Sequence, residues 1–113
     1  SNYFDVVIRR DRKMKKVGYS TVDEIVDDIL KTCPSVLQDS ARKMTADEFR
    51  ISQYFNLGMT IRKKYFYGNS KRESLVKSLG NKKEHRFLDG EVFSRIVLEA
   101  LWKKITTDSK KKS

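Results

Sequence analysis

Residues 89–106 read DGEVFSRIVLEALWKKIT, and the fold turns on how this stretch is placed. Asp89 is a good N-cap, because its carboxylate can accept a free backbone N–H at the start of a helix. At roughly 100° per residue, Val92, Phe93, Ile96, Val97, Ala100 and Leu101 cover one half of the helix begun there. Leu98, Trp102 and Ile105 widen that arc. The clearest polar strip left is Glu91, Arg95, Glu99 and Lys103, four residues apart with alternating sign. A helix apolar over more than half its girth needs neighbours on two or more sides. The expectation is a mainly α fold: four to five helices packed around this central C-terminal helix, with a small N-terminal β-hairpin.

The rest of the chain supplies the neighbours. Thr21-x-x-Glu24 is a capping box, opening a helix to about Thr32. Val22, Ile25, Val26, Ile29 and Leu30 form its apolar stripe, and Asp23, Glu24, Asp27 and Asp28 its other side. Cys33-Pro34 ends it, since the residue before proline is pushed out of helical geometry. Val36 to Lys43 reads as a short helix. Thr45-x-x-Glu48 is a second capping box. From Ala46 the stripe Ile51, Tyr54, Phe55, Gly58, Ile61 and Tyr65 holds helical spacing, predicting some twenty residues of helix. Gly58 on that stripe marks a close crossing or a break. Tyr67-Gly68-Asn69 is a turn. Ser70-x-x-Glu73 is a third capping box, for a short helix with Leu75, Val76 and Leu79, stopped by Gly80. Residues 81–88 are a charged loop.

The N-terminus reads differently. Tyr3–Ile8 has strand composition and Val17–Tyr19 could pair with it across a basic turn. A rival reading starts the natural protein at Met14. Arg9-Arg10, if encoded AGG-AGG, would be a ribosome-binding site, and residues 3–13 would be translated leader. Ser1-Asn2 resembles a tag remnant. The domain reading is therefore 1–19 as an extension or hairpin, 20–107 as one helical domain and 108–113 as a disordered basic tail.

The chain has 113 residues, is 38% apolar and carries a formal charge of +10. That length suits one domain. No stretch approaches the roughly 20 apolar residues of a membrane span, and Asp5, Arg9 and Arg10 interrupt any signal-peptide pattern. The single cysteine excludes an internal disulfide and a thiolate cluster. These features point to the cytoplasm. Charge is segregated: residues 20–49 carry three basic and seven acidic groups, residues 50–88 ten basic and two acidic. The plain reading is complementary faces that meet in the fold. The sharper one is a basic surface for an anionic partner.

Phe55-Asn56-Leu57-Gly58-Met59-Thr60-Ile61-Arg62, an aromatic-rich turn, the short helix to Leu79, and Leu88-Asp89 opening the last helix together resemble a family of small bacterial helical proteins of unknown function. Its pattern is roughly F-x-L-G-x-x-I-R, and the resemblance covers about 22–105. Thr60, where that family often has an aromatic, and Lys63-Lys64, where it has an Asn-rich run, depart from it. The resemblance implies a helical fold and imports no catalytic residue.

Among single residues Arg62 stands out. It falls at the margin of the apolar stripe, where an arginine snorkels outward or pairs with a carboxylate. The expected partner is one of Asp23, Glu24, Asp27 and Asp28, which makes a structural ion pair. The run from Arg62 to Arg72 mixes cations with aromatics, as single-stranded nucleic acid requires. A nucleic-acid surface would use Arg62, Lys63, Lys64, Tyr67, Lys71 and Arg72, with Lys82, Lys83 and Arg86. Against it, Tyr65 lies on the core stripe and no recognised nucleic-acid motif is present. Leu98 and Trp102 flank the polar strip of the last helix and are a candidate protein interface, with self-association one form. The alternative is that the N-terminal hairpin covers them.

Other chemistry is sparse. His85 sits alone between Glu84 and Arg86, with no second ligand to complete a metal site. Cys33 lies at a helix C-terminus, where the dipole disfavours a thiolate, and reads as a small buried side chain. Asp27-Asp28 and Asp47-Glu48 point apart on a helix and read as surface charge or caps. No P-loop, dinucleotide fingerprint or nucleophile elbow occurs. No cofactor, metal or small-molecule substrate is implied. The expectation is a non-enzymatic protein-interaction or regulatory module of a bacterium, with a nucleic-acid-binding accessory protein as the alternative.

Overall fold

Thr21 closes an extended segment and starts the first helix, its hydroxyl oxygen accepting the Glu24 N–H at 3.2 Å. The computed structural model describes residues 16–79 and 89–112. Within them run α1 (Val22–Thr32), α2 (Ser35–Arg42), α3 (Ala46–Gln53), α4 (Leu57–Thr60), a π-helix (Ile61–Tyr67), α5 (Arg72–Ser78) and α6 (Gly90–Lys112). The fold is mainly α, and α6 touches α1, α2, α3, α4 and the π-helix.

The central helix is placed as its pattern demands. Asp89 Oδ1 accepts the Val92 N–H at 2.9 Å, the bond expected of an N-cap. Phe93, Val97, Leu98, Leu101 and Ile105 are buried. Glu91, Arg95, Glu99 and Lys103 are all exposed, with Lys103 Nζ 3.4 Å from Glu99. Around α6 lie Ile25, Val26 and Ile29 of α1, Ala41 of α2, Phe49 of α3, Leu57 of α4, and Ile61, Tyr65 and Phe66 of the π-helix. The α6 backbone stays helical through Lys112, past the frayed tail expected from residue 108.

Two capping expectations need correction. Only the Thr45 box is reciprocal, with Glu48 accepting the Thr45 N–H at 2.9 Å. Ser70 caps nothing: α5 starts at Arg72, and the Ser70 hydroxyl donates to the Val17 carbonyl at 3.2 Å. At the first box the Glu24 carboxylate accepts the Ser20 and Thr21 hydroxyls, which hold it below its usual carboxylate range.

The long helix expected from Ala46 is broken. After Gln53 the chain tightens through Asn56 N–H to Gln53 O at 3.1 Å, and Asn56 takes φ −104°, ψ −94°. The break rotates α3 against α4 and the π-helix. Phe49 faces the core, while Ile51 and Phe55, on the expected stripe, are 66% and 74% exposed. Beyond the break, Leu57, Ile61 and Tyr65 are buried as a stripe should be. Gly58 serves both roles foreseen for it. It sits just past the break, and a Cβ there would lie 3.2 Å from Arg62 Nη1 and 3.8 Å from Leu98 Cδ1.

The π-helix solves a local problem of composition. Tyr65 and Phe66 are adjacent, and an α-helix would separate them by about 100°. The wider i→i+5 turn brings both inward with Ile61, and its closing bond runs from Gly68 N–H to Lys63 O at 2.9 Å. Of the expected N-terminal hairpin, Tyr3–Ile8 lie outside the described residues. Val17 makes a parallel bridge to Asn69.

Candidate functional site

The 62–72 segment unites the sequence-predicted cations and rings, and the fold sorts them into inward and outward groups. Arg62 turns inward. Its Nη1 donates to Ser94 Oγ of α6 at 3.2 Å and its Nη2 to the Tyr54 carbonyl at 3.3 Å. The guanidinium lies 4.9 Å from the Tyr54 ring centroid. No carboxylate among the described residues pairs with it, so the expected ion pair with Asp23, Glu24, Asp27 or Asp28 is not formed. The reason is the break at residues 54–56, which leaves a helix-end carbonyl that a guanidinium fork satisfies well.

The acidic helix is instead engaged by the next turn. Asp28 accepts the Tyr65 hydroxyl at 2.6 Å and lies 3.7 Å from Lys64 Nζ. Both charged side chains are about four-fifths buried. Complementary charge thus meets between these segments, through Lys64 and Tyr65.

The outward group is Lys63, Tyr67, Lys71 and Arg72, all exposed. The Arg72 guanidinium sits 5.2 Å from the Phe66 ring and 5.9 Å from the Tyr67 ring. The Tyr67 ring passes close over the start of α6, where a Cβ on Gly90 would lie 2.8 Å from its Cε2. Lys71 lies over Gly18 and acts electrostatically on Glu24. Lys82, Lys83, Arg86 and His85 fall outside the described residues.

Asn69 holds this region to the N-terminal segment, a role that its place in a Tyr-Gly-Asn turn does not announce. Its Nδ2 donates to the Tyr19 and Tyr65 carbonyls at 2.7 and 3.0 Å, and its Oδ1 accepts from Tyr19 and Lys71 N–H at 3.1 and 2.9 Å. Two donor and two acceptor positions are all a carboxamide has.

The proposed Leu98 and Trp102 interface is corrected. Leu98 is wholly buried. The Trp102 indole N–H is shared between the Ala41 and Met44 carbonyls, at 3.1 and 3.0 Å, so the ring is fixed against the end of α2. The arc of α6 wraps further than its polar strip implied because α2 and α3 close over that side. Among the described residues, the large apolar side chains that do face outward are Val36, Ile51, Phe55 and Tyr67. Ile51 lies in the last turn of α3, and Phe55 follows four residues on, in the break. The signal for them lay in the stripe, once the break reversed it.

Among the described residues no group of three or more His, Cys, Asp or Glu side chains could hold a metal ion, and no helix is long and apolar enough to cross a membrane. No protein-family model, curated protein or solved structure matches the chain.

Proposed function

We propose that this chain is a non-enzymatic protein-contact module, working in the cytosol of a bacterium. The observation that carries it is the exposure of Ile51 and Phe55, four residues apart on either side of the end of α3 and 66% and 74% open. Two large apolar side chains held in water are costly at about 25 cal/mol per Å² of apolar surface, and a partner removes that cost. The test is site-specific photo-crosslinking in producing cells, with a benzophenone amino acid at position 55 and a control at Glu73, an exposed residue of α5. Discrete protein adducts at position 55 and none at 73 are expected. Equal labelling at both positions, or none at either, counts against the reading.

A second reading rests on the outward group. Lys63, Lys71 and Arg72 with the Tyr67 ring offer cations for phosphates beside a ring for a base. Anisotropy titration with single-stranded oligonucleotides separates the two. Affinity that falls steeply with salt and is lost in Lys71→Glu favours nucleic acid.

A further inference from the structure

Cations from two distant parts of the chain gather where the π-helix hands over to α5. Lys71 and Arg72 are exposed there. Lys16 joins them from the N-terminal segment. It is exposed too, and it precedes Val17, whose carbonyl accepts the Ser70 N–H at 2.8 Å. Consecutive Cα atoms are about 3.8 Å apart, so this pairing keeps Lys16 beside the Ser70–Lys71 corner. Among the described residues none of the three cations makes an ion pair. The carboxylates close by are engaged elsewhere. Glu24, which attracts Lys71, accepts the Ser20 and Thr21 hydroxyls. Glu73 lies 3.9 Å from Lys77. Asp89 accepts the Val92 N–H at the positive end of α6. The corner keeps a positive balance.

An aromatic ring stands among these charges. Tyr67 is 58% exposed, and its neighbours flank it without covering it. Phe66 meets it edge-on at 5.0 Å between centroids, and the Arg72 guanidinium lies 5.9 Å from its centroid. Arg72 is seated in turn on the Phe66 ring, at 5.2 Å. A cation is thus already held next to an open ring. Single-stranded nucleic acid uses that pairing, a π-face for a base and cations for the phosphates beside it. A duplex keeps its bases in the stack, so it has no free base face for a lone ring.

We propose that this corner binds single-stranded nucleic acid, with one base stacked on Tyr67 and the neighbouring phosphates on Arg72, Lys71 and Lys16. The inference rests on the second functional reading and deepens it, naming the residue that meets a base and the N-terminal cation that completes the track. With three cations on a single strand, the logarithm of affinity falls by about 2 for each tenfold rise in salt. One stacked base contributes about tenfold in affinity.

Anisotropy titrations of the full chain at low salt test it. The probes are a short mixed-sequence DNA strand, the same sequence as RNA, its DNA duplex, and the same DNA backbone with abasic sites throughout. Binding of either single strand meets the expectation, and the ratio of the two tells DNA from RNA. The abasic strand binds about tenfold more weakly than the intact one, and the duplex is also the weaker ligand. Tyr67→Leu lowers single-strand affinity about tenfold and leaves abasic binding unchanged, while Tyr67→Phe keeps both. Lys16→Glu weakens every probe and flattens the salt dependence. Circular dichroism confirms that each variant keeps the fold. Abasic or duplex binding as tight as that of the single strand, or affinity indifferent to Tyr67→Leu, overturns the proposal. If that binding still falls steeply with salt and is lost in Lys71→Glu, the second reading stands without a stacked base. No binding of any probe overturns both.

Discussion

The Asn69 carboxamide treats Tyr19 as a neighbouring strand would, accepting its N–H at 3.1 Å and donating to its carbonyl at 2.7 Å. One side chain thereby satisfies the backbone of an extended segment fifty residues away. Asn69→Asp keeps the shape and removes both donors, leaving two carbonyls facing a carboxylate. A loss of about 1–3 kcal/mol is expected, the cost of buried groups without partners. Hydrogen exchange should show the Tyr19 and Ser70 amides opening first.

Trp102 reports on the same kind of contact at the other end. Trp102→Phe keeps most of the ring and removes the N–H shared by Ala41 and Met44. Urea unfolding followed by circular dichroism should show a loss of about 1 kcal/mol. Trp102→Ala should cost about 2–4 kcal/mol through lost packing, with the sedimenting mass unchanged.

Gly68 closes the π-helix where backbone crowds backbone. A Cβ there would stand 2.8 Å from the Lys63 carbonyl oxygen and 3.0 Å from that of Lys64. Neither oxygen can swing aside as a side chain would. Gly68→Ala should therefore destabilise by about 1–3 kcal/mol, read as a lower urea midpoint. Gly90→Ala should be milder, because the Tyr67 ring it meets is exposed and can move.

Thr60 gives the opposite sign. It is 3% exposed, and its hydroxyl oxygen lacks a hydrogen-bond partner among the described residues. Thr60→Val removes a buried polar atom and keeps the volume. Stability should be unchanged or higher by about 1 kcal/mol. A clear fall in melting temperature would mean that the hydroxyl has a partner after all.

Cys33 carries a pH dependence. Burial pushes its thiol above the ordinary range, so the unfolded chain loses this proton first as pH rises. The stability it gives is full below the ordinary thiol value. It declines as pH climbs from there towards the folded value. The stability gap between wild type and Cys33→Ala should shift against the wild type between about pH 7 and about pH 10. Native Cys33 should react slowly with a disulfide reagent and quickly in denaturant.

The helices around α6 were legible because period and caps agreed. Asp89, Thr45 and Cys33-Pro34 mark their boundaries by chemistry that acts within one turn. The exposed strip Glu91 to Lys103 was legible for the same reason. What escaped depends on contacts between distant segments. The break at residues 54–56 carries no proline. It is held by Arg62, whose fork reaches back to Tyr54 and across to Ser94. Reading residues 46–65 as one helix put Ile51 and Phe55 inside and gave Arg62 an acidic partner it does not have. Asn69 and Trp102 escaped likewise, because their partners lie 50 and about 60 residues away in sequence.

The π-helix also fixes a frame. Because its turn holds one residue more than an α-turn, everything from Gly68 to α5 is phased by that surplus. Deleting Lys63 would let the segment relax to ordinary winding and rotate Tyr65 or Phe66 out of the core. Inserting one alanine there would overshoot the other way. Length in this stretch is thus under tighter constraint than residue type, and variation should spare its count while tolerating changes at the exposed Lys63.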